Sequence, residues 1–167
     1  MTDISEFSAL KNDELFPITI KHPITKKVIK GSDGKDVEFF VRTPNSPTLK
    51  SRHRKISALY SQDKSDNDGI ASPEAMEAYL LQLNAAYIGG WSENWTYEDK
   101  KISYSNDAAL RVLESGFGDL VLESLGEWVK NWKGAVLKSK PQPAPTDDGA
   151  AASTKSAKAR STASKKS

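Results

Sequence analysis

Residues 121–136 read VLESLGEWVKNWKGAV and carry the strongest periodic pattern in the chain. The apolar residues Val121, Leu125, Trp128, Trp132 and Val136 follow one another at steps of four, three, four and four. These steps place the five side chains on one face of an α-helix. The pattern predicts a helix with an aromatic-rich stripe along one face.

Three further helix starts are marked by serines. Ser46-Pro47 and Ser72-Pro73 each combine a capping serine with a proline at the first helical position, where its missing N–H costs nothing, and Ser105 marks the third start. The second helix should end at Gly89 and Gly90, and the third at Gly116. The predicted buried positions are Leu49, Ile56, Leu59 and Tyr60 in the first helix, Met76, Tyr79, Leu80, Leu83 and Tyr87 in the second, and Leu110 and Leu113 in the third.

The segment before these helices is rich in β-branched and aromatic residues. Residues 16–20 (FPITI) and 37–42 (VEFFVR) predict two strands of a β-hairpin over 16–42, with a turn at 31–34 and residues 27–30 as a further short strand. Such a small sheet needs a covering layer. We therefore predict an α+β fold, mostly α-helical, in which the hairpin packs on about four helices within 46–137, preceded by an N-terminal arm, 1–15.

The charge of the chain divides at residue 138. The 167 residues carry 24 Lys and Arg against 22 Asp and Glu, a formal net charge of +2. Residues 138–167 hold seven basic and two acidic residues, which leaves 17 basic and 20 acidic residues, a net charge of −3, for residues 1–137. The final segment is rich in Ala, Ser and Lys and has too few large apolar residues to fold, so we predict a disordered basic tail over 138–167. We predict a single folded domain over 16–137. Because this part of the chain is mildly acidic, a basic nucleic-acid-binding face on it is not favoured.

Composition removes several chemistries. The absence of cysteine excludes disulfides, thiolate zinc sites and cysteine nucleophiles. Apolar runs are far shorter than the roughly 20 residues that cross a bilayer, and the acidic N-terminus is unlike a signal peptide. We expect a soluble protein that is not exported and has no membrane partner.

The candidate sites for metals and catalysis are incomplete. Aligning Gly69 with the glycine of a calcium-binding loop puts Asp66 and Asp68 at ligand positions, but Lys64 and Ala75 replace two required oxygen ligands, so residues 63–69 predict a solvated acidic loop. His22 and His53 have no acid at metal or triad spacing, and residues 31–34 predict a turn because they lack the Lys-Ser/Thr of a phosphate-binding loop. We predict no enzymatic activity, no cofactor and no metal.

Aromatic residues of the second half are the remaining candidates. They either pack the core or anchor a protein partner, since Trp and Tyr dominate interface hot spots, and the sequence leaves both alternatives open. The basic run 50–55 (KSRHRK) is interpreted as a solvated helix face. The aromatic candidates are Tyr87, Trp91, Trp95, Tyr104, Trp128 and Trp132.

The order of these segments resembles a family of small tailed-bacteriophage proteins, the tail assembly chaperones, over about residues 16–137. In this chain Thr25 is followed by Lys26, where the family's pattern has a glycine. The segments that carry the resemblance are residues 22–25 (HPIT), the turn 33–35 (DGK), the strand 37–41 (VEFFV), the basic helix 51–55 (SRHRK), a helix ending in Gly-Gly-Trp91, the helix start 104–109 (YSNDAA) and the last aromatic helix.

The resemblance implies a non-enzymatic viral assembly factor. Such a protein would bind the tape measure protein in the bacterial host cytoplasm, help to recruit the tail tube protein during tail morphogenesis, and be absent from the mature virion. Self-association stays open. The alternatives are a structural tail or neck component of the virion, and a small nucleic-acid-associated protein that acts through the basic tail.

Overall fold

The computed structural model describes residues 13–136, and the predicted α+β architecture is confirmed within them. Most of the predicted N-terminal arm and the whole of the predicted tail, 138–167, lie outside the described residues. The elements are β1 (Phe16–Thr19), β2 (Glu38–Val41), α1 (Pro47–Asp66), α2 (Pro73–Ala85), β3 (Ile88–Trp91), α3 (Asn106–Glu114) and α4 (Gly118–Val136).

The sheet has three antiparallel strands in the order β1-β2-β3. The predicted hairpin is confirmed, with Phe16 opposite Val41. The segment 27–30 is not a regular strand, because it makes only isolated bridges, Lys21 with Val28 and Lys30 with Asp36. The third strand was not predicted, and its last residue Trp91 pairs with Phe39 of β2.

All three predicted capping serines are found at helix starts. The side chains of Ser46, Ser72 and Ser105 accept hydrogen bonds from the backbone N–H groups three residues later, at 3.1, 3.1 and 3.0 Å. Each bond satisfies one of the N–H groups that a helix leaves free in its first turn. The local chemistry of the sequence therefore sets where α1, α2 and α3 begin.

Helix α4 packs its predicted stripe into the core. All five stripe residues named above are buried, and the helix contacts β1. The Trp128 ring stacks on Phe16 with centroids 5.6 Å apart, and its Nε1 donates to the carbonyl oxygen of Arg42 at 3.0 Å. The aromatic stripe thus provides the covering layer that we expect for so small a sheet.

The predicted buried sides of the other helices need correction. Helix α1 buries only Leu49, and Leu59 is 67% exposed. Helix α2 buries only Ala85 and ends there, before the two glycines that were expected to end it. In α3 the buried residues are Ala108, Ala109, Val112 and Leu113, while Leu110 is half-buried.

The predicted acidic loop at 63–69 is also largely wrong. Asp63 to Asp66 form the last turn of α1, in a segment that has neither glycine nor proline, the two residues that most strongly disfavour a helix. Its end comes at Asn67, the C-cap, shortly before Gly69, which has a positive φ of 78°. Helices α1 and α2 then form a hairpin whose far end, residues 61–70, is exposed.

Candidate protein-binding surface

The six candidate aromatic side chains pack within the domain. Trp91, Trp128 and Trp132 are buried, and Tyr87, Trp95 and Tyr104 are half-buried against the same core. Trp91 belongs to β3, where its ring lies 5.4 Å from that of Trp95. These residues stabilise the fold, so a partner surface must be sought elsewhere.

Hydrogen bonds fix the ring positions in this aromatic group. Trp91 Nε1 donates to the carbonyl oxygen of Ile102 at 2.9 Å, and the Tyr104 hydroxyl donates to that of Ile88 at 2.6 Å. The Trp95 ring stacks on Phe39 at 5.5 Å. Burial also raises the pKa of the half-buried Tyr87 hydroxyl above its ordinary value of 10.0, because ionisation there is poorly solvated.

A buried arginine was missed by the sequence reasoning. Arg42 is 1% exposed, and its Nη1 donates to the carbonyl oxygens of Ala86 and Ile88 at 3.3 and 3.1 Å. These acceptors lie between the end of α2 and the start of β3. The guanidinium therefore holds the helical hairpin to the sheet, and no periodic pattern marks a single polar residue of this kind.

The carboxylate of Asp13 joins the same region to the start of α1. It accepts hydrogen bonds from the Ser46 hydroxyl and from the backbone and side chain of Thr48, the last two at 2.9 Å. Burial alone would raise the pKa of Asp13, but these hydrogen bonds and the charge of Arg42 together lower it below its ordinary value of 3.8. The negative charge also stabilises the helix, because it lies near the positive N-terminal end of the helix dipole.

Both histidines have structural roles. His53 Nε2 lies 2.9 Å from the carbonyl oxygen of Leu83, and His22 Nδ1 accepts from the backbone N–H groups of Ile24 and Thr25 at 3.3 and 3.2 Å. Among residues 13–136 no group of three His, Asp or Glu side chains is placed to hold a metal ion. In the basic run 50–55, Lys50, Arg54 and Lys55 are exposed, as expected for a solvated helix face.

Exposed apolar side chains are concentrated on the α1–α2 hairpin. On the side where the helices meet, Tyr60 stacks on Tyr79 with centroids 4.3 Å apart. The Met76 sulfur accepts a hydrogen bond from the Tyr60 hydroxyl at 3.7 Å, yet Met76 is 44% exposed. Leu80 on the same helix is 49% exposed, and Ile70 between the two helices is 75% exposed. Large apolar side chains exposed in a group are typical of surfaces that bind proteins.

Met76 and Leu80 line a groove between α2 and the turn that joins α3 to α4. The groove has a volume of about 660 Å³. Leu81 and Leu122 form part of its apolar wall and also pack against the core. We call it the α2–α4 groove; its lining residues are Pro73, Met76, Glu77, Leu80, Leu81, Asn84, Leu113, Glu114, Ser115, Gly116, Asp119 and Leu122.

Carboxylates surround the apolar part of the α2–α4 groove. Glu77, Glu114 and Asp119 are exposed, and its lining contains no Lys, Arg or His. The arrangement can bind a complementary apolar surface and attract positive charge near it. One feature of the sequence points to this groove, the apolar stripe of α2, although that stripe by itself predicts buried positions.

Comparisons with known proteins found no matching family model, no similar curated protein and no solved structure of similar fold.

No helix within residues 13–136 is both long and apolar enough to cross a lipid bilayer.

Proposed function

We propose that this protein is a non-enzymatic assembly chaperone of the kind that tailed bacteriophages use to build their tails. It binds the tape measure protein in the host cytoplasm, keeps it from aggregating, and helps to bring tail tube subunits to it. The family resemblance of the sequence suggests this role. The α2–α4 groove is the structural observation that supports it.

The support from the groove is physical. A chaperone for a long helical protein must offer apolar surface to the apolar stripes of its client before those stripes find their final partners. Met76 and Leu80 are about half exposed beside an otherwise well-packed core. Methionine is flexible and polarisable, so it adapts to helices of different sequence. Carboxylates around the groove keep this apolar surface compatible with a dissolved monomer.

Coexpression with the tape measure protein tests the proposal. We expect the tape measure protein to become soluble, and several copies of this chain to copurify with each tape measure chain. The variant Leu80→Asp should abolish copurification. Leu59→Asp is the matched control, because Leu59 is an exposed leucine on α1 that does not line the α2–α4 groove.

Mass spectrometry of purified particles completes the test. A chaperone is absent from mature virions, whereas a structural tail or neck protein is present in fixed stoichiometry. If the wild-type chain does not bind the tape measure protein and is found in virions, the structural alternative replaces the chaperone proposal.

A further inference from the structure

The α2–α4 groove has the dimensions of a helix-binding site. Its lining residues on α2 run from Pro73 to Asn84, which at 1.5 Å per residue corresponds to about 16 Å of helix. On the other side it is bounded by the end of α3 and by the first turns of α4. A partner helix of about eleven residues, or three turns, would match this length.

The charge around the groove selects the chemistry of its occupant. Helices α2 and α3 together carry the four acids Glu74, Glu77, Asp107 and Glu114 against one base, Arg111. Asp119, in the first turn of α4, adds another carboxylate to the lining. Carboxylates next to an apolar groove favour a partner that places Lys or Arg beside its apolar stripe, and disfavour an acidic partner.

We infer that the α2–α4 groove binds a single basic amphipathic helix, whose apolar side chains contact Met76 and Leu80 and whose Lys or Arg side chains face Glu77, Glu114 and Asp119. This inference rests on the proposed function and names the class of segment that the chaperone holds. Recognition uses the helix-in-groove mode, in which apolar anchors recur at every third or fourth residue.

The basic C-terminal segment of the chain itself is a poor occupant. Residues 138–167 contain no Leu, Ile, Val, Met or aromatic residue, so they offer no large side chain to the apolar part of the groove. A second copy of the chain is a different occupant. It would present α1, which has exposed Leu59 close to basic Lys55. The experiment below distinguishes a second copy from a basic helix of another protein.

The experiment uses two labelled 16-residue peptides and the full-length chain. Both peptides carry leucines at the same helical positions, and the remaining positions are Lys in one and Glu in the other. We expect the basic peptide to bind about tenfold more tightly at low salt, because each of three exposed charge pairs strengthens binding about twofold. The difference should shrink as salt increases, since screening weakens exposed charge pairs.

Matched variants locate the binding. Leu80→Asp should remove binding, and Leu59→Asp should retain it, with both variants melting like the wild type because both leucines are substantially exposed. Reversing the three carboxylates of the groove should invert the preference, so that the acidic peptide binds better. The reversal variant is Glu77→Lys/Glu114→Lys/Asp119→Lys, and its control with equal charge is Asp63→Lys/Glu93→Lys/Glu98→Lys, at exposed acids that do not line the groove.

Several results would overturn the inference. These are equal binding of the two peptides, no binding of either, insensitivity to Leu80→Asp, or equal losses in the reversal variant and its control. A concentration-dependent dimer that both Leu80→Asp and Leu59→Asp abolish would assign the groove to a second copy. The tape measure test is independent. Copurification without peptide binding would retain the chaperone role and reject the groove as a site for basic helices. Peptide binding without copurification would retain the groove as such a site and reject the chaperone role.

Discussion

Truncation of Trp128 tests whether the aromatic stripe of α4 is core. Trp128 is 6% exposed, its ring stacks on Phe16, and its Nε1 donates to the carbonyl oxygen of Arg42 at 3.0 Å. Replacing it by alanine removes the ring contacts and leaves a cavity between α4 and the sheet. It also removes the hydrogen bond donor of a buried carbonyl group.

The expected loss follows from these contacts. Truncation of a buried Trp to Ala costs about 3 to 5 kcal/mol of unfolding free energy. The variant Trp128→Phe keeps an aromatic ring to pack near Phe16 but loses the N–H. We expect it to lose about 1 to 3 kcal/mol, the usual cost of leaving a buried polar group unpaired.

Urea unfolding followed by far-UV circular dichroism measures both losses, because the helical signal does not depend on which tryptophan is changed. Lys130→Ala is the control, since Lys130 is exposed on the same helix and its loss should change stability by no more than about 0.5 kcal/mol. A loss below about 1 kcal/mol for Trp128→Ala would refute the core assignment. Trp128 would then return as a partner-facing residue, to be tested by binding.

Three further predictions concern stability away from the groove. Because the fold lowers the pKa of Asp13, the stability that its carboxylate contributes is present above the ordinary pKa and is lost as pH falls through the folded value. Asp13→Asn should cost about 1 kcal/mol at pH 7, because an amide oxygen makes weaker hydrogen bonds than a carboxylate, and should weaken the acid dependence of urea unfolding. A Cβ at Gly118 would lie 2.0 Å from the Leu113 carbonyl oxygen, so Gly118→Ala should lower the melting temperature. Gly126→Ala on the same helix is the control, because a Cβ there meets no atom within 4 Å, and it should raise the free energy of unfolding by about 0.5 to 1 kcal/mol. Asn94 Nδ2 donates to Asp33 and to two backbone carbonyls, so Asn94→Ala should cost about 1 to 3 kcal/mol in the same assay.

The parts of the fold predicted from sequence are those that local chemistry determines. The starts at Ser46, Ser72 and Ser105 depend on a hydrogen bond within four residues of chain, and the buried stripe of α4 depends on one helical period. Strand β3 has neither signal, because two of its four residues are glycines that favour no strand. Its conformation is set by pairing with β2, and Gly89 fits there since a Cβ would approach Leu15 Cδ2 to 2.6 Å.

The groove could be predicted only in part. Met76, Tyr79, Leu80, Leu83 and Tyr87 form one apolar stripe, and a stripe shows which side of a helix is apolar but not how much of it the fold covers. In the structure Tyr79 stacks on Tyr60 of α1, and Met76 accepts a hydrogen bond from the same tyrosine but stays 44% exposed. Leu80 remains 49% exposed. The position of that edge depends on how far α3 and α4 reach along α2, which is a property of tertiary packing.

This division between covered and uncovered apolar residues separates folding from binding. The residues that stabilise the domain, such as Trp128, lie between α4 and the sheet, whereas Leu80 contributes little to the core because half of it remains exposed. A chaperone needs this separation, since its apolar surface must be available without any change in its own fold. An exposed apolar groove also invites self-association, and the carboxylates of Glu77, Glu114 and Asp119 oppose it by mutual repulsion between copies. On the proposed function, the same charges would also attract a basic helical client, so a single feature of the surface would serve both purposes.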